Sequence, residues 1–275
     1  MRVLEQFIQG KAPEAERCED GIFINDHYIA AIDGVTTKSK QRWDGKKTGK
    51  IATEIILSRL ATLAKEYDAE QCMSALNDAV VAWYHAQGMY DEAHNNPIER
   101  CAASIVVYSA CHRQIWFVGD CQALIDGASF TNNKLVDMVS GHARALFILS
   151  SLRQGERIED FLEHDNGRDY IQPLIEGQNY FQNTTGDTGF EYEALDGFFE
   201  DMSTIKIVDV PDSAREVVLA TDGYLELLPT LKESERALKK TLVEDPLLIM
   251  RHKSLKGLQK GNNSFDDRAY IRFSP

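Results

Sequence analysis

Apolar residues fall into short runs, separated by polar turns, along most of the chain. The segment RVLEQFIQ at 2–9 has the mixed spacing of a strand. Residues 21–33 read GIFI, NDH, YIAAI and a closing Asp, two apolar runs about an Asn-Asp turn, which predicts a hairpin. The polar, basic stretch TKSKQRWDGKKTGK at 37–50 predicts a loop. Ile51, Ile55, Ile56, Leu60 and Leu63 then recur at helical spacing over 50–66, and Met73, Leu76, Val80 and Trp83 repeat it over 69–89. Two such helices joined by a short turn form an antiparallel pair, and their apolar face calls for a sheet to cover it.

Strands follow at 101–110 (CAASIVVYSA) and 114–118 (QIWFV) about the turn Cys111-His112-Arg113, with a third at 121–126. Residues 134–165 have a helical pattern carried by Leu146, Leu149, Leu152 and Phe161, whereas 166–202 are rich in Asn, Gly and Asp and predict no regular element. Strands return at 204–209 and 215–221, helical patterns at 224–242 and 245–251, and a last strand at 268–273 after the turn Gly261-Asn262-Asn263-Ser264. No Pro/Ser-rich linker or internal repeat divides the 275 residues, so the pattern reads as one domain, 1–275, with many strands and two helical layers.

Charge narrows the function classes. There are 43 Asp and Glu against 30 Lys and Arg, a formal charge of −13. That argues against a broad grip on nucleic-acid phosphates, which needs a basic face. The first twenty residues lack the apolar core of a secretory leader, and no run approaches the ~18–20 apolar residues of a membrane helix. The expectation is a cytoplasmic protein with no membrane or nucleic-acid partner, a monomer by default. The five cysteines (18, 72, 101, 111, 121) form no metal-ligand spacing and predict free thiols, with Cys101, Cys111 and Cys121 on three successive strand segments. The acidic surplus has two readings, solubility or a cluster of carboxylates held by metal ions.

The positions of the aspartates favour the cluster. If the first hairpin turns about Asp26-His27, Asp20 faces Asp33, because antiparallel partners keep a constant sum of residue numbers. Asp120 and Asp222 end apolar strands and Asp266 precedes one, so all five can gather along one edge of a β-sandwich. Crowded carboxylates raise each other's pKa, and divalent cations relieve the repulsion. Oxygen-only ligands suit Mg²⁺ or Mn²⁺. The competing reading of Asp33-Gly34 and Asp222-Gly223 is ordinary turn chemistry.

These blocks, in this order, resemble the metal-dependent protein phosphatase family of the 2C type. Glu19-Asp20-Gly21 resembles its opening Glu-Asp block, AAIDGVT its Asp-Gly block, FVGDCQALI the strand ending in Gly-Asp-Ser-Arg, LATDGYLEL the later Asp-Gly block, and SFDDRAYIRF the terminal one. The resemblance implies an α+β fold, a four-layer α-β-β-α sandwich, and hydrolysis of phosphoserine and phosphothreonine in a phosphoprotein substrate. It implies two or three Mn²⁺ or Mg²⁺ ions, and in-line attack by a hydroxide bridging two of them. By the same resemblance Asp33 bridges two ions, the Gly34 carbonyl binds one, Asp222 and Asp266 hold the second, Glu19 and Asp20 act through metal-bound water, and Asp120 with Asp222 serves a third site.

The chain also departs from the family. Ala15 stands where many members carry a phosphate-binding Arg, which leaves Arg17 as the nearest candidate clamp. Val35 replaces a His found in some members, Cys121-Gln122 replace Ser-Arg, and Asp267 replaces Asn. Residues 128–202, a helical or loop insertion where the family's flap lies, match poorly. Alternatives to a protein phosphatase are a catalytically inactive phosphoprotein-binding module and a phosphatase of small metabolites. The basic residues Lys38, Lys40, Arg42, Lys46, Lys47 and Lys50 read as a solvated loop or as an attractor for an acidic phosphoprotein.

Overall fold

The computed structural model describes residues 1–36, 38 and 42–275, so Lys40 of the basic loop lies outside the described residues. Ten strands are described: β1 (Arg2–Gln9), β2 (Gly21–Ile24), β3 (Tyr28–Gly34), β4 (Ala103–Ser109), β5 (Gln114–Val118), β6 (Gln122–Ile125), β7 (Ala128–Thr131), β8 (Lys206–Asp209), β9 (Val217–Ala220) and β10 (Arg268–Ser274). They form two antiparallel sheets, ordered β1-β10-β9-β6-β7 and β2-β3-β4-β5-β8.

The sheets face each other. Ile29, Ala31, Val106, Tyr108, Ile115 and Phe117 from one meet Ala123, Val217, Leu219, Ile271 and Phe273 from the other. The alternate residues of the same strands (Tyr28, Ala30, Ile32, Ile105, Val107, Trp116) point outward under α1 (Thr48–Leu60) and α2 (Ala69–Gln87). Burial on both faces is why β3 and β4 read as unbroken apolar runs. The other sheet lays Val218, Ala220 and Tyr270 against Leu238 of α8 (Leu231–Glu244) and against Leu248 and Phe265. The result is the expected α+β sandwich, with helices outside two packed sheets.

The first hairpin has the expected register. Gly21 pairs with Ile32 and Ile24 with Ile29, and the Asn25 carboxamide accepts the amides of His27 and Tyr28 to fix the turn. Elsewhere the boundaries move for identifiable reasons. α1 stops at Leu60 rather than 66, where the Tyr28 hydroxyl takes the Ala64 carbonyl at 2.7 Å and holds a turn. The pattern at 134–165 is two helices, α4 (Leu135–Arg153) and α5 (Ile158–Glu163), parted at Gly155 with φ +103°. The short helices α6 (Asn166–Tyr170) and α7 (Gln172–Gly177) follow. The expected helix at 224–242 begins only at Leu231, where Thr230 caps it. At 245–251 there is a turn instead of a helix, because the Asp245 carboxylate takes the amides of Ile249 and Met250. Strand β7 was not predicted, yet Asp126-Gly127, both at positive φ, is the turn that joins it to β6. Cys101, Cys111 and Cys121 lie just outside β4, β5 and β6, a correction to their expected place on strands.

A second correction concerns α4, which by length and composition alone could cross a membrane. In the fold its Ala145 and Ile148 pack on Phe161, Leu247 and Ile249. Its Arg144, fully buried, makes a forked pair with Asp165 (Nε 3.0 Å, NH2 2.6 Å) and donates to the Leu247 and Ser254 carbonyls. Gly141 lets the Lys253 backbone close in, since a Cβ there would lie 2.4 Å from the Lys253 carbonyl oxygen. The segment 247–257 is thereby locked onto α4 and α6. Replacing Arg144 by Met strands a buried Asp165 carboxylate. It should cost about 3–5 kcal/mol, read as a fall in melting temperature of roughly 2–4 °C per kcal/mol at this chain length.

Candidate metal centre

The strand ends deliver the acids to one edge, as the register requires. Asp33 is the penultimate residue of β3 and pairs with Ser104 of β4. Carried one step past Gly21–Ile32, the β2–β3 register sets Asp20 opposite Asp33. The β1–β10 register pairs Gln9 with Arg268, which carried on sets Lys11 opposite Asp266. Asp222 follows β9, and Asp120 follows β5. Asp33, Asp120, Asp222 and Asp266 line one open cleft of about 560 Å³.

Two Asp-Gly pairs here, one in a strand and one in a turn, mark close approaches of backbone. A Cβ on Gly34 would lie 2.5 Å from the Glu19 carbonyl oxygen and 2.7 Å from that of Gly49. A Cβ on Gly223 would lie 2.0 Å from the Asp267 carbonyl oxygen. Only glycine lets these segments meet, and their meeting brings Asp33 to Glu19 and Asp222 to Asp266. Buried partners hold the acids in place. The Thr221 hydroxyl donates to Asp20 at 2.7 Å, and the Thr53 hydroxyl to the Glu19 carbonyl at 2.7 Å. Asp267 accepts the backbone amides of Lys11 (2.7 Å) and Glu19 (3.0 Å) and so ties the segment at 11–19 to β10. Gln122 donates to the carbonyls of Thr221 and Tyr224 and fixes the Asp222 turn, while Cys121 is buried in the inter-sheet core.

The electrostatics divide the acids into two groups. Asp266 sits between two ammoniums, Lys11 at 3.1 Å and Lys256. Burial alone would raise its pKa, but these two lysines hold it well below the usual carboxylate range. Asp120 takes Lys134 at 2.9 Å and the Ser104 hydroxyl at 2.7 Å, which together outweigh burial and lower it. The second group is raised. Burial, then the charges of neighbouring acids, pushes up Asp20, Asp33 and Asp222. Neither Asp33 nor Asp222 has an ion-pair or hydrogen-bond partner among the described residues. Burial also raises Glu19, whose carboxylate oxygens are sealed from solvent without a hydrogen bond, the nearest cation being Lys47 at 3.5 Å.

Such a set fits a divalent cation in its chemistry. All the donors are oxygens, and a buried acceptor pair on Glu19 and two unpartnered aspartates want positive charge. The residues able to hold it are Asp33, Asp222 and the Gly34 carbonyl, with Glu19, Asp20, Asp120 and Asp266 around them. Among the described residues no three acidic, His or Cys side chains are closed about one point, since the lysines draw Asp266 and Asp120 to themselves. Arg17 is a correction: its side chain is 59% exposed, pairs with Glu14 and does not line the cleft. It lies in the 3-10 turn Ala15–Arg17 on the surface. The cations that do reach the cleft or its acids, Lys11, Lys38, Lys134, Arg168, Arg251, Lys253 and Lys256, come from loops and helix starts, where no strand pattern flags them. The register of β1 against β10 was the one available signal for Lys11.

The two groups predict opposite responses. Folded Asp20, Asp33 and Asp222 keep protons that the unfolded chain sheds above pH ~4, so the chelated protein should lose stability as pH rises through their folded titration. Asp222→Asn should raise its melting temperature at pH 7 by about 3 °C, roughly 1 kcal/mol, and flatten that slope. Asp266→Asn should lower it, because two lysines lose their partner. Thermal melts in chelator from pH 5 to 8 check both.

No family model and no curated protein matches the chain. Solved structures similar to it include the catalytic domain of the serine/threonine protein phosphatase PstP in complex with two manganese ions (15% identity over 99% of this chain and 98% of that one, TM-score 0.48). RsbX in complex with magnesium is 14% identical over 98% and 97%, with a TM-score of 0.44. The serine/threonine phosphatase Stp1 from Staphylococcus aureus is 14% identical over 98% and 94%, with a TM-score of 0.47. With every score below 0.5, these likenesses carry no weight on the chemistry of this chain, which its own side chains must supply.

Proposed function

We propose that this chain, as one domain over 1–275, is a metal-dependent phosphatase that hydrolyses phosphoserine and phosphothreonine in proteins, with Mn²⁺ or Mg²⁺ as its cofactor. One observation carries the reading: two half-buried aspartates without an ion-pair partner among the described residues, Asp33 and Asp222, line a cleft that lysines and arginines also line. Acids and cations lining one cleft suit a phosphate monoester held between bound metal and basic side chains. When bound, two divalent cations would neutralise the crowded carboxylates and supply an activated water.

The chain's own residues do the rest. Asp33 and Asp222, with the Gly34 carbonyl, form the centre of the donor set, and Asp120 and Asp266 flank it. Thr221 and Thr53 fix Asp20 and the Glu19 backbone. Lys134 and Lys256 line the cleft, and their ammoniums are placed to meet phosphate oxygens, the role that Arg17 does not reach. A cytoplasmic location belongs to the same proposal, supported by five unpaired cysteines, four of them buried.

The test is hydrolysis of p-nitrophenyl phosphate and of a phosphothreonine peptide with and without Mn²⁺. Turnover should require the metal and fall by about a hundredfold or more in Asp33→Ala and Asp222→Ala, while calorimetry shows weakened Mn²⁺ binding in both. A folded, Mn²⁺-saturated protein inert on both esters refutes the proposal.

A further inference from the structure

The cleft gathers cations beside its five aspartates, Asp33, Asp120, Asp137, Asp222 and Asp266. On a chain of charge −13, six cationic side chains converge on its lining: Lys38, Lys134, Arg168, Arg251, Lys253 and Lys256. Lys134 and Lys256 are engaged with cleft carboxylates. The other four are not. The Arg168 guanidinium donates to the Leu255 carbonyl at 2.9 Å, and Lys253 to that of Met250 at 2.8 Å. Arg251 reaches only the half-exposed Glu226, at 3.7 Å. Lys38 has no ion-pair partner among the described residues. Burial pushes the Lys38 ammonium down to about 8, against the charge of Asp137 and with smaller help from Arg168, Lys134 and Lys256.

The backbone that carries three of these cations is anchored, although the Arg251 and Lys253 side chains are exposed. Arg168 starts from α6, and 251–253 lies in the segment that Arg144 and Gly141 lock onto α4. Both belong to regions outside the two sheets, and Lys38 enters from the loop after β3. A phosphomonoester carries at most two negative charges, and metal held by the aspartates would take them. Four cations from three separate segments then remain for whatever adjoins the phosphate.

We propose that the wall formed by Lys38, Arg168, Arg251 and Lys253 selects phosphoserine or phosphothreonine sites flanked by acidic side chains. This rests on the phosphatase reading above and names its substrate class. The experiment compares three peptides with one central phosphothreonine, flanked by Asp/Glu, by Ala/Gln or by Lys, on the full chain with Mn²⁺. The acidic peptide should exceed the neutral one by about tenfold in kcat/KM at low salt, chiefly through KM, and the basic one should be worst. The acidic-to-neutral ratio, taken within each variant so that folding defects cancel, should fall about threefold in Arg251→Gln/Lys253→Gln and again on adding Lys38→Gln. Equal turnover of the three peptides, or a ratio that the variants leave unmoved, overturns the inference. So does faster turnover of a multiply phosphorylated small molecule than of the acidic peptide. If p-nitrophenyl phosphate and all peptides stay intact, the phosphatase reading fails by itself. Peptide affinity by fluorescence anisotropy then decides: tighter binding of the acidic phosphopeptide supports the wall, and equal affinity overturns it.

Discussion

The structure turns on the repulsion among carboxylates gathered at one edge of a β-sandwich. Glu19, Asp20, Asp33, Asp120, Asp222 and Asp266 come from five separate stretches of chain, and burial deprives them of the solvent that would screen them. The chain offsets this repulsion unevenly. Lys11 and Lys256 serve Asp266, Lys134 serves Asp120, and Lys47 stands near Glu19, whereas Asp33 and Asp222 are left to the site's function. A fold that only needed stability would have placed asparagines there.

Backbone geometry is what makes the crowding possible. Four Asp-Gly pairs occur on or beside strands, Asp20-Gly21, Asp33-Gly34, Asp126-Gly127 and Asp222-Gly223, and the last three do different things. Asp126-Gly127 is a true hairpin turn with both residues at positive φ. Gly34 and Gly223 have ordinary backbone angles and are glycines because another chain segment lies where a Cβ would be. The same dipeptide thus closes a hairpin at one place and lets two acid-bearing segments touch at two others. Asp267 shows a related economy, since its carboxylate holds the Lys11 and Glu19 amides and so sets the segment at 11–19 against the last strand.

Much of the sheet architecture was legible in the sequence. Strands buried on both faces leave long apolar runs, and the NDH turn sets the hairpin register. Four of the five aspartates of the cleft were legible too, since strand ends and a constant-sum register place them, whereas Asp137 comes from α4. What escaped was governed by local competition or by distant contacts. Asp245 captured amides that a helix at 245–251 would have used. Gly155 cut one helical pattern into two. Arg17 looked close to Glu19 along the chain but faces solvent, while Lys134 and Lys256, remote in sequence, arrive through α4 and the loop locked to it. Side chains carried by loops have no periodicity to betray where they point.

Lys11 and Lys256 have a consequence for how such a protein comes into being. In small metal-nucleated domains the ion is the core, and the polypeptide is unfolded until it arrives. Here the counter-charge at Asp266 is covalently part of the chain, and the β1–β10 register delivers Lys11 as soon as those strands pair. Pairing of these two strands therefore brings its own counter-charge and does not wait on an ion.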